Sequence, residues 1–222
     1  MQVATMAPLT SVLFALTVAT LMSLTDGAAF STPPWLVAVP PPPCVPPPSA
    51  VAFLRARCAT TLYGVACYDA LIPYACTFQT SHVKLARAAT DVNLAWLRGL
   101  SKRVKEVAVR GAGARVEAAA LRDCASTVSS AAGLAKQSAA ELAKLDAAGA
   151  AAGRSQVRWS ISNAQTWLSA SMTNEATCAD GIGVAGDAVS SPAAMEVVIG
   201  VVRARENTSV ALALVNGIPV PS

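Results

Sequence analysis

The residues of this 222-residue chain whose types and spacing could do chemistry are six cysteines, one histidine and one glycosylation sequon. The cysteines stand at 44, 58, 67, 76, 124 and 178. In a secreted chain an even count points to disulfides, but the count allows many connectivities, so spacing must choose among them. His82 is the only histidine. It leaves a Ser-His or Cys-His nucleophile a single possible base and excludes His-rich metal sites. Near the start of a helix, His82 is expected to be a surface residue rather than a base. There is no G-x-S-x-G turn, Gly-rich phosphate loop or cluster of carboxylates. The expectation is therefore a chain that is not an enzyme, with no catalytic residues, no metal and no cofactor. Asn207-Thr208-Ser209 is the sole N-glycosylation sequon. Asn207 falls inside a helix and must face water to be modified, which Arg205 and Glu206 beside it favour.

Composition narrows the elements that could position these residues. Charged residues are 14%, hydrophobic residues 54%, and mean hydropathy is +0.47, which does not suit a wholly disordered chain. Much of the apolar share is alanine, a strong helix former. Aromatics are 5%, too few for base-stacking platforms, and the net charge of +4 is scattered rather than run together, so nucleic acid is not an expected partner.

Three regions follow from the order of residue types. Residues 9–24 (LTSVLFALTVATLMSL) have the length of a signal-peptide core, and small residues at Gly27-Ala28-Ala29 place cleavage after Ala29. Residues 1–29 are thus expected to be a signal peptide, with no membrane association after its removal. Residues 30–50 are crowded with proline, which fixes φ and withholds amide donors, so they read as an extended Pro-rich leader. The folded domain is expected over 51–218.

Within it, apolar residues repeat at helical spacing. The clearest run is Leu121, Cys124, Val128, Ala131, Ala135, Ser138, Leu142 and Leu145. A helix from about Ser81 to Arg110 carries Val83, Ala86, Thr90, Leu94, Leu97, Val104 and Ala108, and is stopped by Gly111 and Gly113. Another carries Val157, Ile161, Ala164, Leu168 and Met172, with Ser155 as its cap. The last starts at Ser191-Pro192 and runs through Met195, Val198, Val202 and Leu212 to Asn216. No alternating strand pattern competes. Four long helices with short connections predict an all-α, up-down-up-down four-helix bundle.

The bundle turns the cysteines into rulers. A Cys58–Cys67 bond would close a short helical hairpin ahead of the bundle. If the helices over 114–147 and 156–179 are antiparallel, their connection centres near residues 151–152. Cys124 and Cys178 then lie about 27 residues either side and, at about 1.5 Å per residue, come level. That bond is worth roughly 4 kcal/mol on a loop-entropy estimate. Cys44 and Cys76 could pair with each other, stay free or link two chains.

Four stretches in order resemble the plant invertase inhibitor / pectin methylesterase inhibitor family. The first is Cys58-Ala-Thr-Thr-Leu-Tyr-Gly-Val-Ala-Cys67, similar to that family's opening cysteine hairpin. The second is Ala120-Leu-Arg-Asp-Cys124. The third, Thr166-Trp-Leu-Ser-Ala-Ser-Met-Thr-Asn-Glu-Ala-Thr-Cys178-Ala-Asp-Gly181, is similar nearly residue for residue to the family's signature. The fourth is Thr208-Ser-Val-Ala-Leu-Ala-Leu-Val-Asn216. The resemblance covers about residues 50–218. It implies the hairpin-plus-bundle fold, disulfides 58–67 and 124–178, and a function exercised by contact with another protein. Val210 stands where the family often has Asn, and Ile182 where it often has Phe; Cys44, Cys76 and the leader lie outside the pattern.

In that family, pectin methylesterase inhibitors cover the esterase's pectin-binding cleft with one bundle face, whereas invertase inhibitors insert a loop into the sucrose pocket. Invertase inhibitors often carry Pro-Lys-Phe between the second and third bundle helices. Here the connection is Asp146-Ala-Ala-Gly-Ala-Ala-Ala-Gly-Arg154, and Pro-Lys-Phe occurs nowhere. The resemblance therefore implies a secreted, apoplastic inhibitor of pectin methylesterase, with invertase as the alternative target. With no catalytic domain after Ser222, it would act as a free inhibitor. A structural apoplastic protein using the Pro-rich leader is the rival class. Thr173, Asn174 and Thr177, beside Cys178, are candidate partner contacts, weighed against hydroxyl bonding to their own helix. Trp159 and Trp167 read as core residues.

Overall fold

A computed structural model describes residues 44–110, 115–186 and 191–221. The chain divides into two units, Met1–Pro33 and Pro34–Ser222. The expected signal peptide, most of the leader, and Gly111 and Gly113 lie outside the described residues.

The described fold is all-helical. Helix α1 spans Pro48–Cys58, α2 Gly64–Leu71, a 3-10 turn Ile72–Tyr74 and α3 Ala75–Phe78. Four long helices follow: α4 His82–Arg110, α5 Arg115–Ala148, α6 Arg154–Ala185 and α7 Pro192–Asn216. Helix α1 starts inside the stretch expected to be extended leader, because proline at the first helical position forfeits only an amide that has no intrahelical partner anyway. Each long helix packs against the next, and α7 returns against α4 to close the bundle. Glycine is required where α5 ends: Gly149 holds φ +52° and reverses the chain toward α6. In the α1–α2 hairpin, a Cβ on Gly64 would come within 3.1 Å of the Cys58 carbonyl, so the close crossing there needs glycine.

All eight residues of the run from Leu121 to Leu145 are buried, as the periodicity requires. The start of α6 differs from expectation. Its N-cap is Gly153, without a side-chain bond, and Ser155 is an exposed residue of the first turn. On α7 the buried face is rotated by one residue. Ala194, Val197, Val201 and Ala211 are buried, while Met195 and Val202 are exposed and Val198 and Leu212 half-buried. This helix is apolar on nearly every side, so the 3.6-residue period has little contrast to report, and packing chose the face that admits small residues.

The core forms two apolar clusters. One joins the hairpin (Leu54, Cys67, Leu71) and Phe78 of α3 to Leu85, Leu142, Leu168 and Leu214; the other gathers Leu97, Leu100, Val104, Leu121, Val128, Cys178 and Val201. No helix among the described residues is long and apolar enough to cross a membrane.

Candidate functional site

The seam between α5 and α6 is built from small side chains. Ala131, Ala135, Ser138 and Ala139 of α5 face Ser160, Ala164 and Ser171 of α6, all buried. Small residues let helix axes approach and bring side-chain hydroxyls within reach of the opposite backbone. Ser160 Oγ donates to Glu141 Oε1 at 3.0 Å, Ser138 Oγ to the Ala164 carbonyl at 3.3 Å, and Ser171 Oγ to the Ala131 carbonyl at 3.1 Å. Cys124 and Cys178 are bonded with their Cα atoms 4.3 Å apart. All four contacts are centred on the Gly149–Ala151 turn, so the two helices run antiparallel in one unbroken register from the turn to the disulfide.

On the outer side of this seam α6 carries an exposed ridge: Trp159, Ser162, Thr166, Ser169, Thr173 and Thr177, each three or four residues from the last. The candidate contacts Thr173 and Thr177 lie on it, and half-buried Asn174 lies beside it. Each is bonded to its own helix. Thr173 Oγ1 donates to the Ser169 carbonyl at 3.1 Å, Asn174 Nδ2 to Ala170 at 2.9 Å, and Thr177 Oγ1 to Thr173 at 2.9 Å. These bonds consume the hydroxyl protons and one amide donor. What Thr166, Thr173 and Thr177 can present outward is methyl groups and acceptor oxygens, since each hydroxyl proton is spent on the helix's own backbone.

Trp159 is 69% exposed, which corrects its reading as core. The signal was present: it sits two residues from both Val157 and Ile161, about 200° around the helix from that buried stripe. Trp167 is half-buried. A large exposed aromatic on a rigid helix is the kind of residue that anchors protein contacts.

The remaining candidates sit elsewhere. Cys58 is bonded to Cys67, with Cα atoms 5.5 Å apart, closing the α1–α2 hairpin. Cys44 is bonded to Cys76, tying the segment before α1 to α3; of the fates left open for these two, the structure takes the intramolecular bond. Asn207 is half-buried on α7, next to wholly buried Thr208.

His82 is half-buried at the start of α4. Its ring meets Phe53 edge-on at 5.0 Å, and Arg57 Nη1 of α1 lies 3.4 Å from its Nε2. Burial, and then the Arg57 charge, hold the imidazole below its ordinary pKa of 6.5, so at neutral pH its nitrogen accepts from Arg57. Beside it lies an open pocket of about 580 Å³ bounded by Ser81, Lys84, Asp146, Val157 and Ile218. The Ser81 hydroxyl accepts from the Lys84 amide, and the Asp146 carboxylate accepts from Arg87, so both rim groups are engaged in holding helix ends. Among the described residues no group of three or more His, Cys, Asp or Glu could hold a metal ion.

The family model described as plant invertase/pectin methylesterase inhibitor matches residues 52–214. The chain is 31% identical over 176 residues to an Arabidopsis thaliana protein named pectinesterase inhibitor 11, covering 75% of this chain and 80% of that one. It is 30% identical over 164 residues to Arabidopsis thaliana pectinesterase inhibitor 10, covering 74% of this chain but only 50% of the relative, so it spans half that protein's length. A Daucus carota protein named 21 kDa protein is 32% identical, covering 74% of this chain and 82% of the relative. Among solved structures, a mutant form of a pectin methylesterase inhibitor from Arabidopsis superposes with a TM-score of 0.57 at 19% identity, over 74% of this chain and 95% of that one, a likeness of fold. The relatives named for an activity are named as inhibitors rather than enzymes.

Proposed function

This chain belongs to the plant invertase/pectin methylesterase inhibitor family, and on that premise we propose that it inhibits pectin methylesterase by direct 1:1 contact. In this reading the α5–α6 face covers the esterase's pectin-binding cleft and excludes the polymer without any bond being made or broken. The observation that carries it is the outer ridge of α6. It is exposed, headed by Trp159, and held stiff by three cross-helix hydrogen bonds and a disulfide. A preorganised surface loses little conformational freedom on docking, which leaves more of its contact energy as affinity. About 800 Å² on each partner is a standard interface, and a ridge of this length with its α5 neighbours can supply it. Thr173, Asn174 and Thr177 are contact residues in this proposal.

Secretion to the apoplast, with residues 1–29 removed as a signal peptide, residues 30–50 as a leader and Asn207 as a glycan acceptor, belongs to the same proposal. The test is a titration of the purified, oxidised chain against a plant pectin methylesterase and a cell-wall invertase in parallel. Stoichiometric loss of methylesterase activity alone is the expected result. Loss of invertase activity alone would move the target to invertase, despite the missing Pro-Lys-Phe. Inhibition of neither would overturn the proposal, and loss of wall retention on deleting 30–50 would then favour a structural role.

A further inference from the structure

Between the two apolar clusters of the bundle lies a polar layer to which every long helix contributes. Asn93 comes from α4, the Ala131 carbonyl from α5, Ser171 and Glu175 from α6, and Thr208 from α7; all four of these side chains are 0% exposed. Thr208 Oγ1 lies 2.7 Å from Glu175 Oε1, 3.1 Å from Asn93 Oδ1 and 3.0 Å from the Ala204 carbonyl. Ser171 Oγ lies 2.9 Å from Glu175 Oε1 and 3.1 Å from the Ala131 carbonyl. Glu175 Oε2 and Asn93 Nδ2 have no hydrogen-bond partner.

We propose that Glu175 is held as a neutral carboxylic acid at the centre of the bundle, and that its proton is the lock that keeps the four helices in register. The geometry supports the acid form through a count of donors. An ionised carboxylate offers lone pairs on two oxygens and needs donors on both. Here two hydroxyls can reach Oε1 and nothing reaches Oε2, which would leave a bare anionic oxygen in an apolar interior. With the proton on Oε1, the acid proton and both hydroxyl protons each have an acceptor. Ser171 donates to Oε1, the acid proton goes to Thr208 Oγ1, and Thr208 donates to the Ala204 carbonyl. Oε2 is then a neutral carbonyl oxygen, which interiors tolerate far better. Turning the Asn93 amide over brings Nδ2 to Thr208 Oγ1 and gives that donor its partner.

No ion pair reaches Glu175 among the described residues. The groups facing it from α4, α5 and α7 are an amide, a backbone carbonyl and a hydroxyl. The one charge whose field is felt is that of Arg205, which is itself exposed on α7. Burial accordingly pushes the Glu175 carboxyl above its ordinary value of 4.5, against the two hydroxyl bonds and Arg205. The proposal itself concerns the scaffold and does not depend on which enzyme the ridge meets.

The sign follows from linkage. Folding holds the proton that the unfolded chain would release above 4.5, so the stabilisation is complete below that pH and is lost as pH rises toward the folded value. Across that window the folding constant falls about tenfold per pH unit, or about 3–5 °C in Tm for a domain of this size. The experiment is a pair of measurements on the full oxidised chain. Infrared difference spectroscopy at pH 6 is expected to show one protonated carboxyl band that Glu175→Gln removes. Thermal midpoints from pH 4.5 to 9 are expected to fall in the wild type and to lose that slope in Glu175→Gln. If Glu175→Gln shares the wild-type slope, or the band survives the substitution, the proposal is overturned. If Glu175→Gln fails to fold, the wild-type spectrum decides alone: a protonated carboxyl at pH 6 supports the proposal and its absence overturns it.

Discussion

Glu117 and Ser191, separated by 74 positions, form a single device that starts the last helix. Ser191 Oγ donates to Glu117 Oε1 at 2.6 Å and at the same time accepts from the Ala194 amide at 3.1 Å, so a buried carboxylate of α5 fixes the hydroxyl that caps α7. The Ser191 amide also approaches Glu117 Oε2 at 3.4 Å. The negative charge stands where the α7 dipole is positive, which adds to the cap.

Removing either half should therefore cost more than a free cap. Ser191→Ala and Glu117→Gln are each expected to destabilise by about 1–2 kcal/mol. The double variant is expected to cost less than the sum of the two, by about 0.5 kcal/mol or more, because the pair acts together. Urea unfolding of the four chains in the cycle measures this, and strict additivity would show that the two groups act independently.

The disulfides should rank by the loop each closes. Cys124 and Cys178 are 54 positions apart, Cys58 and Cys67 only 9. Replacing the first pair by alanine is expected to cost roughly 4 kcal/mol and the second roughly 3 kcal/mol on the loop-entropy estimate. Calorimetric Tm values of the two double variants check the order. A larger loss from the hairpin pair would mean that native-state packing, rather than chain entropy, dominates.

Trp159 separates folding from recognition. With 69% of its surface exposed, Trp159→Ala is expected to change folding stability by no more than about 0.5 kcal/mol. As an anchor of the proposed esterase contact, it is expected to cost about 2 kcal/mol of binding, near thirtyfold in Kd. Isothermal titration of wild type and variant against the esterase decides it. An unchanged Kd with intact inhibition would place the contact elsewhere on the bundle.

His82 gives the hairpin a pH dependence opposite in sign to that of Glu175. Burial and Arg57 hold its folded pKa below 6.5, so on acidification the unfolded chain takes up the proton first. Its contribution is complete above about pH 6.5 and declines as pH falls through that value toward the folded pKa. His82→Gln is expected to remove this opposing contribution, so that its Tm falls more steeply than that of the wild type as pH rises from 5 to 7. Parallel curves for wild type and variant would show that protonation does not disturb the Phe53–His82–Arg57 contact.

Much of this architecture was written in local pattern. The α5 stripe from Leu121 to Leu145 could be read directly, because alanine, leucine and polar residues alternate sharply around that helix. The Cys124–Cys178 level could be placed because one turn fixes an antiparallel register and each residue then advances a known rise. Ser191-Pro192 announced α7 through capping chemistry alone. Where contrast was low, the sequence misled: the apolar circumference of α7 hid its buried face by one residue, and the aromatic character of Trp159 masked a position on the far side of α6.

What the sequence alone determined, then, is the helical period, the order of elements and the cysteine spacing, because each depends on residues close along the chain or on one turn's arithmetic. The tertiary structure alone decided three things: the pairing of Cys44 with Cys76, the capture of Ser191 by Glu117, and the meeting of Asn93, Ser171, Glu175 and Thr208 in one buried layer. The physical reason is the same for all three. Each joins groups from separate elements whose distance is set only when four helices settle against one another, and no local periodicity encodes which side chain will face which across that packed interior.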